Sequence, residues 1–282
     1  MSQAKGRKRS DEPAWSKKVH VVRDSNNLMV ACVANAIAAL RNDPDLAGLL
    51  AYNASEREAM LMRQIGKGAG IGFPRQVQDH DMTEIQEHLQ LSGLPRLGKS
   101  SIFDAAELVA REQPYHPLRD YLTGLAWDGK ARLDEWLTYY MGAKASDYGH
   151  EIGLMFMVAM VRRALEPGCQ SDYMLIFEGR QGDQKSTACR ILGGDLFGDH
   201  MPGLNFGTER ASQYVKNKWL VEIGELSAFK GADVDLLKSF LTRRTEDYHA
   251  PYGRKNVVEP RQCVFIGTTN KEAYLDDPNC FI

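Results

Sequence analysis

A short glycine-containing segment, residues 179–187, carries the residue types that bind phosphate groups in proteins. It follows an apolar run at residues 173–177 that is typical of a buried strand, and a helical pattern begins at Ala188. In such a loop, backbone N–H groups and the positive helix end can surround a triphosphate, while a lysine contacts the terminal phosphates and a hydroxyl binds Mg²⁺. The pattern predicts Lys185 as that lysine and Ser186 as the Mg²⁺ ligand. The residues predicted to bind ATP are Gly179, Gly182, Asp183, Gln184, Lys185, Ser186 and Thr187.

One position of this loop departs from the usual pattern. Nucleotide-binding loops have glycine directly before the lysine, whereas this chain has Gln184. Glycine adopts a positive φ without steric cost and lets the backbone approach phosphate closely. The side chain of Gln184 is therefore expected to weaken or abolish nucleotide binding.

A second segment, residues 93–100, matches the phosphate-loop pattern letter for letter. Its context is wrong, because residues 84–90 form a polar amphipathic pattern rather than a buried strand, and Pro95 lacks an N–H group. We interpret the segment as a turn between two helices, the second with an apolar stripe over residues 102–110. Two helices joined by a basic turn are compatible with a small DNA-reading module or with simple helix packing.

Two further apolar segments end in residues that could complete a nucleotide site. Residues 218–226 carry Glu222, the candidate on the Mg²⁺ side, and Glu225, the candidate that orients the attacking water. Residues 262–270 end in Asn270, whose amide can donate to phosphate and accept from water. Parallel strands would bring all three to the edge where ligands usually bind. An ordinary exposed strand carrying acids is the alternative.

Cationic and aromatic side chains lie between these two segments. A helix predicted at residues 236–244 is followed by a polar stretch at residues 245–255. Such residues can hold a phosphate backbone and stack bases, or form structural ion pairs with nearby acids. The candidates for contact with nucleic acid are Arg243, Arg244, Arg254 and Lys255.

The composition is that of a globular protein with one large or two modest domains. The chain has 282 residues and a formal net charge of −2, so any contact with nucleic acid must depend on local patches. Its five cysteines are scattered without CxxC spacing, which favours reduced thiols in the cytoplasm over disulfides or a zinc site. The sequence shows no signal peptide and no run that could span a membrane.

The order of apolar patterns predicts an α/β fold, with a P-loop NTPase core preceded by a mainly helical N-terminal region. Helices are expected at residues 28–40, 46–50 and 151–165, and a loop or linker at residues 66–78. The predicted domains are a disordered basic tail at 1–20, a helical region at 21–112, a helical subdomain at 113–170 and the ATPase core at 171–282, which we expect to be truncated at its C-terminus.

Several long segments resemble the virulence-associated protein E (VirE/VapE) family. They are YHPLRDYLTGLAWDGKARLDEWL, YMLIFEGRQGDQKSTACRILGG, KWLVEIGEL and LLKSFLTRRTEDYHAPYGRKNVVEPRQCVFIGTTN. The family is found on prophages and genomic islands and is similar to superfamily-three replicative helicases with an AAA+ type ATPase core. The resemblance implies that Lys185 and Ser186 bind Mg-ATP, that Glu222 and Glu225 form the acidic strand motif, and that Asn270 is the sensor amide. It also implies a homo-oligomeric ring that acts on DNA, with phage replication proteins as further partners.

The sequence departs from the family pattern at two places. Gln184 replaces the usual glycine, and residues 276–282 stand where family members continue through a Thr-Gly-x-Arg-Arg stretch. Loss of an arginine that stabilises the transferred phosphate lowers the rate on the order of a thousandfold. We therefore expect a helicase-like ATPase in truncated or degenerate form. The alternatives are a non-catalytic protein that binds DNA or a replication partner, and a decayed remnant.

Overall fold

A computed structural model describes residues 12–65, 72–204, 208–224, 232–249 and 256–270. The chain divides into two compact units, Met1–Pro117 and Leu118–Ile282. No helix in the described ranges is long and apolar enough to cross a membrane.

The first unit is a small mixed sheet with helices. Its four strands follow the order β3-β2-β1-β4, in which β1 is antiparallel to β2 and parallel to β4. The strands are β1 (Leu50–Asn53), β2 (Glu58–Leu61), β3 (Arg75–Gln76) and β4 (Pro114–Tyr115). The helices are α1 (Val33–Asn42), α2 (Asp79–Leu91) and α3 (Lys99–Arg111).

The helix α3 confirms the predicted apolar stripe and the rejection of the second phosphate-loop match. Its stripe of Ile102, Ala105, Ala106, Val109 and Ala110 is buried in the core of the unit. The residues before it form a turn after α2, in which Leu94 and Leu97 are buried. A turn between helices cannot present the strand-loop-helix geometry of a phosphate site.

Three expectations for the first unit are wrong. Residues 46–48 lie in a turn and Leu50 begins β1, so residues 46–50 do not form the expected helix, and the sheet itself was not predicted beside the helices. The predicted disordered tail includes a 3₁₀ helix, Ala14–Lys17, whose Trp15 is buried. Residues 1–11 of that tail and residues 66–71 of the predicted linker lie outside the described ranges, and β3 occupies part of the remaining linker.

The second unit is organised around a parallel sheet of four strands in the order β5-β10-β7-β6. Two more strands, β8 and β9, form a separate antiparallel pair. The strands are β5 (Leu175–Glu178), β6 (Phe197–Gly198), β7 (Leu220–Ile223), β8 (Thr245–His249), β9 (Asn256–Pro260) and β10 (Val264–Thr269). The helices are α4 (Pro117–Gly124), α5 (Trp136–Met141), α6 (Asp147–Leu165), α7 (Lys185–Gly193), α8 (Thr208–Tyr214) and α9 (Ala232–Leu241).

The two central strands are buried on both faces of the sheet. Every residue of β7 and β10 is buried, as expected for parallel strands covered by helices. Successive residues of β10 enter different cores: Val264 and Ile266 pack with residues of α6 and α7, whereas Phe265 packs with residues of α8 and α9. This double covering holds the sheet rigid, so that its carboxyl edge can position side chains.

The contact between α5 and α6 depends on the absence of a side chain at Gly153. A Cβ atom there would lie 2.8 Å from Nε1 of Trp136 and 3.0 Å from Cδ1 of Leu137. We expect Gly153→Ala to lower the free energy of unfolding by about 1–3 kcal/mol, because overpacking outweighs the better helix propensity of alanine. Urea unfolding measures the effect. Gly124→Ala is the control, since a Cβ there meets no atom within 4 Å, and equal stability of the two variants would contradict the prediction.

Candidate phosphate-binding site

The predicted strand, loop and helix occur where the sequence places them. The strand β5 ends at Glu178, and α7 begins at Lys185. Within the loop Gly182 has φ of 97°, and Gln184 at the helix N-cap has φ of 57° and ψ of 29°. Position 184 therefore has the left-handed conformation that glycine adopts most readily.

Asp183 shapes the loop from within. Its Oδ2 atom accepts a hydrogen bond of 2.7 Å from the backbone N–H of Arg180. The same oxygen lies so close to Gly179 that a Cβ there would be 2.9 Å from it. A side chain at position 179 would displace the Asp183 carboxylate from the hydrogen bond that it accepts from Arg180.

The ammonium group of Lys185 lies inside the loop. Its Nζ atom donates to the carbonyl oxygens of Gly179 at 2.8 Å and Arg180 at 2.9 Å, and to Oδ1 of Asn270 at 2.9 Å. These three acceptors match the three donors of an ammonium group. A cation in the first turn of a helix is opposed by the helix dipole, and these oxygens offset that cost.

Ser186, one residue further along α7, is joined to the acidic strand. Its hydroxyl donates to Oε1 of Glu222 at 2.6 Å, and the same oxygen accepts a hydrogen bond of 2.7 Å from the hydroxyl of Thr268. Glu222 is only 5% exposed, so these hydrogen bonds stabilise a carboxylate at the end of β7 that has little contact with water. Thr187 is exposed on the same turn of α7.

The structure therefore brings together Lys185, Ser186, Glu222 and Asn270, which the sequence places on three separate segments. They meet because β5, β7 and β10 are parallel and end at the same edge of the sheet. Sequence reasoning missed Thr268, because a threonine within an apolar strand is an ordinary strand former. Its position two residues before Asn270 was the available signal, since alternate residues of a strand share a face.

A buried thiol lies next to this group of residues. Burial, together with the negative charge of Glu222, raises the pKa of Cys189 to about 12. The thiol is therefore protonated and unreactive at neutral pH. Cys189 packs α7 onto the sheet and is not a candidate nucleophile.

Residues 122–280 match the family model of the virulence-associated protein E-like domain, which is more than half of the chain. The chain belongs to the virulence-associated protein E-like family. The resemblance predicted from the sequence motifs is thereby confirmed, and the matched range contains the strand, loop and helix together with β7 and β10.

This VapE-like chain is also similar to solved structures of the C-terminal region of NrS-1. An apo structure of that region is 14% identical with a TM-score of 0.45, and its A form is 13% identical with a TM-score of 0.47. In both comparisons 82% of this chain is covered, and it spans 56% of the other chain. No curated protein matches the sequence.

Two of the residues predicted to bind nucleic acid, Arg243 and Arg244, make their side-chain contacts away from the loop. The guanidinium group of Arg243 lies 5.3 Å from the ring centroid of Phe240, and Nε of Arg244 donates to the carbonyl of Gly168 at 2.8 Å. Both side chains take part in packing at the end of α9. Glu225, Arg254 and Lys255 lie outside the described residues.

The left-handed conformation of Gln184 leads to a test of the loop. We expect Gln184→Gly to tighten ATP binding roughly fivefold, because removing a left-handed cost of about 1 kcal/mol populates the binding conformation more fully. Calorimetry with Mg-ATP measures the change. Asn27→Gly is the control, since Asn27 also has a positive φ, 62°, but lies in the first unit. Unchanged affinity of Gln184→Gly would show that Gln184 does not impair the loop.

Proposed function

We propose that the VapE-like domain binds Mg-ATP at residues 179–187 and hydrolyses it, and that this activity serves work on DNA in replication. The observation that supports the proposal is the meeting of Lys185, Ser186, Glu222 and Asn270 at one carboxyl edge of a parallel sheet. A cation, a hydroxyl, a carboxylate and an amide are the groups that phosphoryl transfer requires. The proposed core is a P-loop NTPase of the AAA+ or superfamily-three-helicase type.

The residues present fit the proposed ligands. In the first turn of α7 the backbone N–H groups have no acceptor within the helix and can hold phosphate oxygens. Lys185 would exchange its carbonyl acceptors for the terminal phosphates, and the hydroxyl of Ser186 together with Glu222, through water, would hold Mg²⁺, which prefers oxygen ligands. When bound, Mg²⁺ neutralises charge that develops on the transferred phosphate.

Asn270 and Lys185 would act as a pair in this proposal. In the structure the amide oxygen of Asn270 accepts a hydrogen bond from Lys185. When Lys185 moves to phosphate, the amide is released and can orient a water or donate to the terminal phosphate. Glu225 remains the proposed residue for orienting the attacking water.

The proposed partners are DNA, other phage replication proteins and further copies of the chain in a ring. They are supported by the family resemblance and by the cationic residues 243 and 244 at the end of α9. A local cationic patch can bind phosphate groups even though the whole chain is close to neutral.

A second candidate is a non-catalytic protein that uses the same fold to bind DNA or a replication partner. The observation that favours it is Gln184, a residue with a side chain and a left-handed backbone conformation directly before the lysine. In this case Lys185 keeps its hydrogen bonds to the carbonyl oxygens of Gly179 and Arg180, and the loop keeps its structure without binding nucleotide.

Calorimetry with Mg-ATP on the full chain tests the proposal. We expect binding in the wild type and its loss in Lys185→Ala. Lys218→Ala is the control, because Nζ of Lys218 donates to the carbonyl of Phe197 at 3.3 Å and takes no part in the loop. Absence of Mg-ATP binding in a folded wild type would overturn the ATPase proposal. DNA binding that persists in Lys185→Ala would then support the second candidate.

A further inference from the structure

Thr268 holds the carboxylate of Glu222 from the neighbouring strand. Its hydroxyl donates to Oε1 of Glu222 over 2.7 Å, and the side chains of both residues are buried. Thr268 lies near the end of β10, one strand away from Glu222 on β7. A buried hydrogen bond to a charged group is shorter and stronger than a neutral one, so it fixes the direction of the carboxylate.

The two hydrogen bonds on Glu222 converge on one oxygen. Ser186 and Thr268 both donate to Oε1, while Oε2 accepts no hydrogen bond from the described residues. This geometry directs Oε1 of Glu222 toward Ser186 on α7 and leaves Oε2 available to a metal ion. Ser186 is on α7 and Thr268 is on the sheet, so the carboxylate is held from two different elements.

We propose that Thr268 is a positioning residue that holds the carboxylate of Glu222 in the orientation in which it would bind Mg²⁺. The inference rests on the proposed function. In the structure the hydroxyl groups of Ser186 and Thr268 both donate to this carboxylate. A hydroxyl that binds Mg²⁺ through an oxygen lone pair can keep its O–H donated to Glu222, so Thr268 would hold Oε1 alongside Ser186. Residues that orient a metal-binding group affect metal affinity although they do not touch the metal.

The position of Thr268 also couples two parts of the site. Thr268 and Asn270 are two residues apart, and Asn270 accepts a hydrogen bond from Lys185 over 2.9 Å. One short segment at the end of β10 therefore contacts both the acidic strand and the phosphate-loop lysine.

The test measures the affinity for ATP twice, once with excess Mg²⁺ and once in EDTA, by calorimetry on the full chain. The ratio of the two dissociation constants reports what Mg²⁺ contributes. We expect Thr268→Val, which has nearly the same shape but no hydroxyl, to reduce this ratio by about 10- to 100-fold. ATP affinity in EDTA should remain that of the wild type. Thr268→Ser retains the hydroxyl and is expected to keep the wild-type ratio.

Each outcome decides between the inference and the proposed function. A wild type that binds ATP more tightly with Mg²⁺, together with an unchanged ratio in Thr268→Val, overturns the inference and leaves the proposed function intact. Equal weakening in EDTA and in Mg²⁺ assigns Thr268 to packing and also overturns it. A folded wild type that binds no ATP overturns both. If circular dichroism shows that Thr268→Val does not fold, Thr268→Ala takes its place with the same expectation.

Discussion

Glu246→Ala is expected to lower the free energy of unfolding of the second unit by about 3–5 kcal/mol, because it leaves a buried arginine without its carboxylate. The side chains of Arg261 and Glu246 are 0% and 2% exposed and form an ion pair through Nε and Oε1. Ser212 donates to the other carboxylate oxygen of Glu246 at 2.5 Å. Hydrogen exchange of peptides from α9 and β8 measures this unit separately from the first.

The cost is large because positive charge is concentrated at this point in the interior. Arg261 donates through Nη1 to the carbonyl groups of Phe240 and Leu241 at the end of α9, where a cation also complements the helix dipole. Arg163, 1% exposed, lies near it, and burial together with the charge of Arg261 lowers the pKa of Arg163. Removing Glu246 therefore leaves Arg261 without its carboxylate, next to a second buried guanidinium group.

The exposed ion pair between Arg132 and Asp128 is the matched control. It has a similar short contact of 2.7 Å, but both side chains are 50% exposed. We expect Asp128→Ala to leave the exchange of the same peptides unchanged, because water and salt screen exposed pairs. Equal protection in Glu246→Ala and the wild type would show that the buried pair contributes little to stability. The double variant Glu246→Leu with Arg261→Met is expected to be more stable than Glu246→Ala alone.

The parallel sheet could be predicted because its strands are recognisable as short apolar runs in the sequence. The runs that form β5, β7 and β10 are apolar and end in the residues that carry chemistry, so the sequence indicates both the strands and the edge at which they end. The predicted residues Lys185, Glu222 and Asn270 lie at that edge. Their distances depend on strand order, which puts β10 between β5 and β7 and which no local pattern encodes.

The antiparallel pair of β8 and β9 could not be predicted, because β8 buries a charged residue where a strand usually buries an apolar one. In β8 the buried residues are Glu246 and Tyr248, while Thr245, Asp247 and His249 are exposed. A charged residue faces inward here only because Arg261, fifteen positions later, meets it. Single-residue preferences place such a stretch in a loop, since glutamate is almost never buried without a partner.

The small sheet of the first unit escaped prediction for a different reason. The strand β1 has four residues, all buried, and thus shows no alternation between polar and apolar positions. A short apolar run of this kind cannot be distinguished from a helix by periodicity. The preceding residues Leu46 and Leu49 are also buried and extended the apparent helical pattern.

If the proposed hydrolysis occurs, Lys185→Ala is expected to lower the turnover of ATP by about 100- to 1,000-fold. The reason is that the mutation removes a fixed positive charge that would stabilise the negative charge developing on the transferred phosphate. The charge is already positioned: three oxygens hold the ammonium group at 2.8–2.9 Å at the start of α7. To meet a phosphate, the ammonium group exchanges these oxygens for phosphate oxygens without leaving the loop, and a charge held in place in this way is the main source of electrostatic catalysis. Phosphate release measures the rate.

The mutation also tests whether the main role of Lys185 is in turnover or in stabilising the loop. Without the ammonium group, the amide of Asn270 and the carbonyl of Gly179 lose a common donor but remain accessible to water, because Asn270 is exposed. The free energy of unfolding should therefore change much less than turnover. If Lys185 mainly stabilised the loop, its loss would lower the free energy of unfolding strongly and turnover only slightly. Lys218→Ala, outside the loop, should retain wild-type turnover. Wild-type turnover in Lys185→Ala would place any ATP hydrolysis at another site.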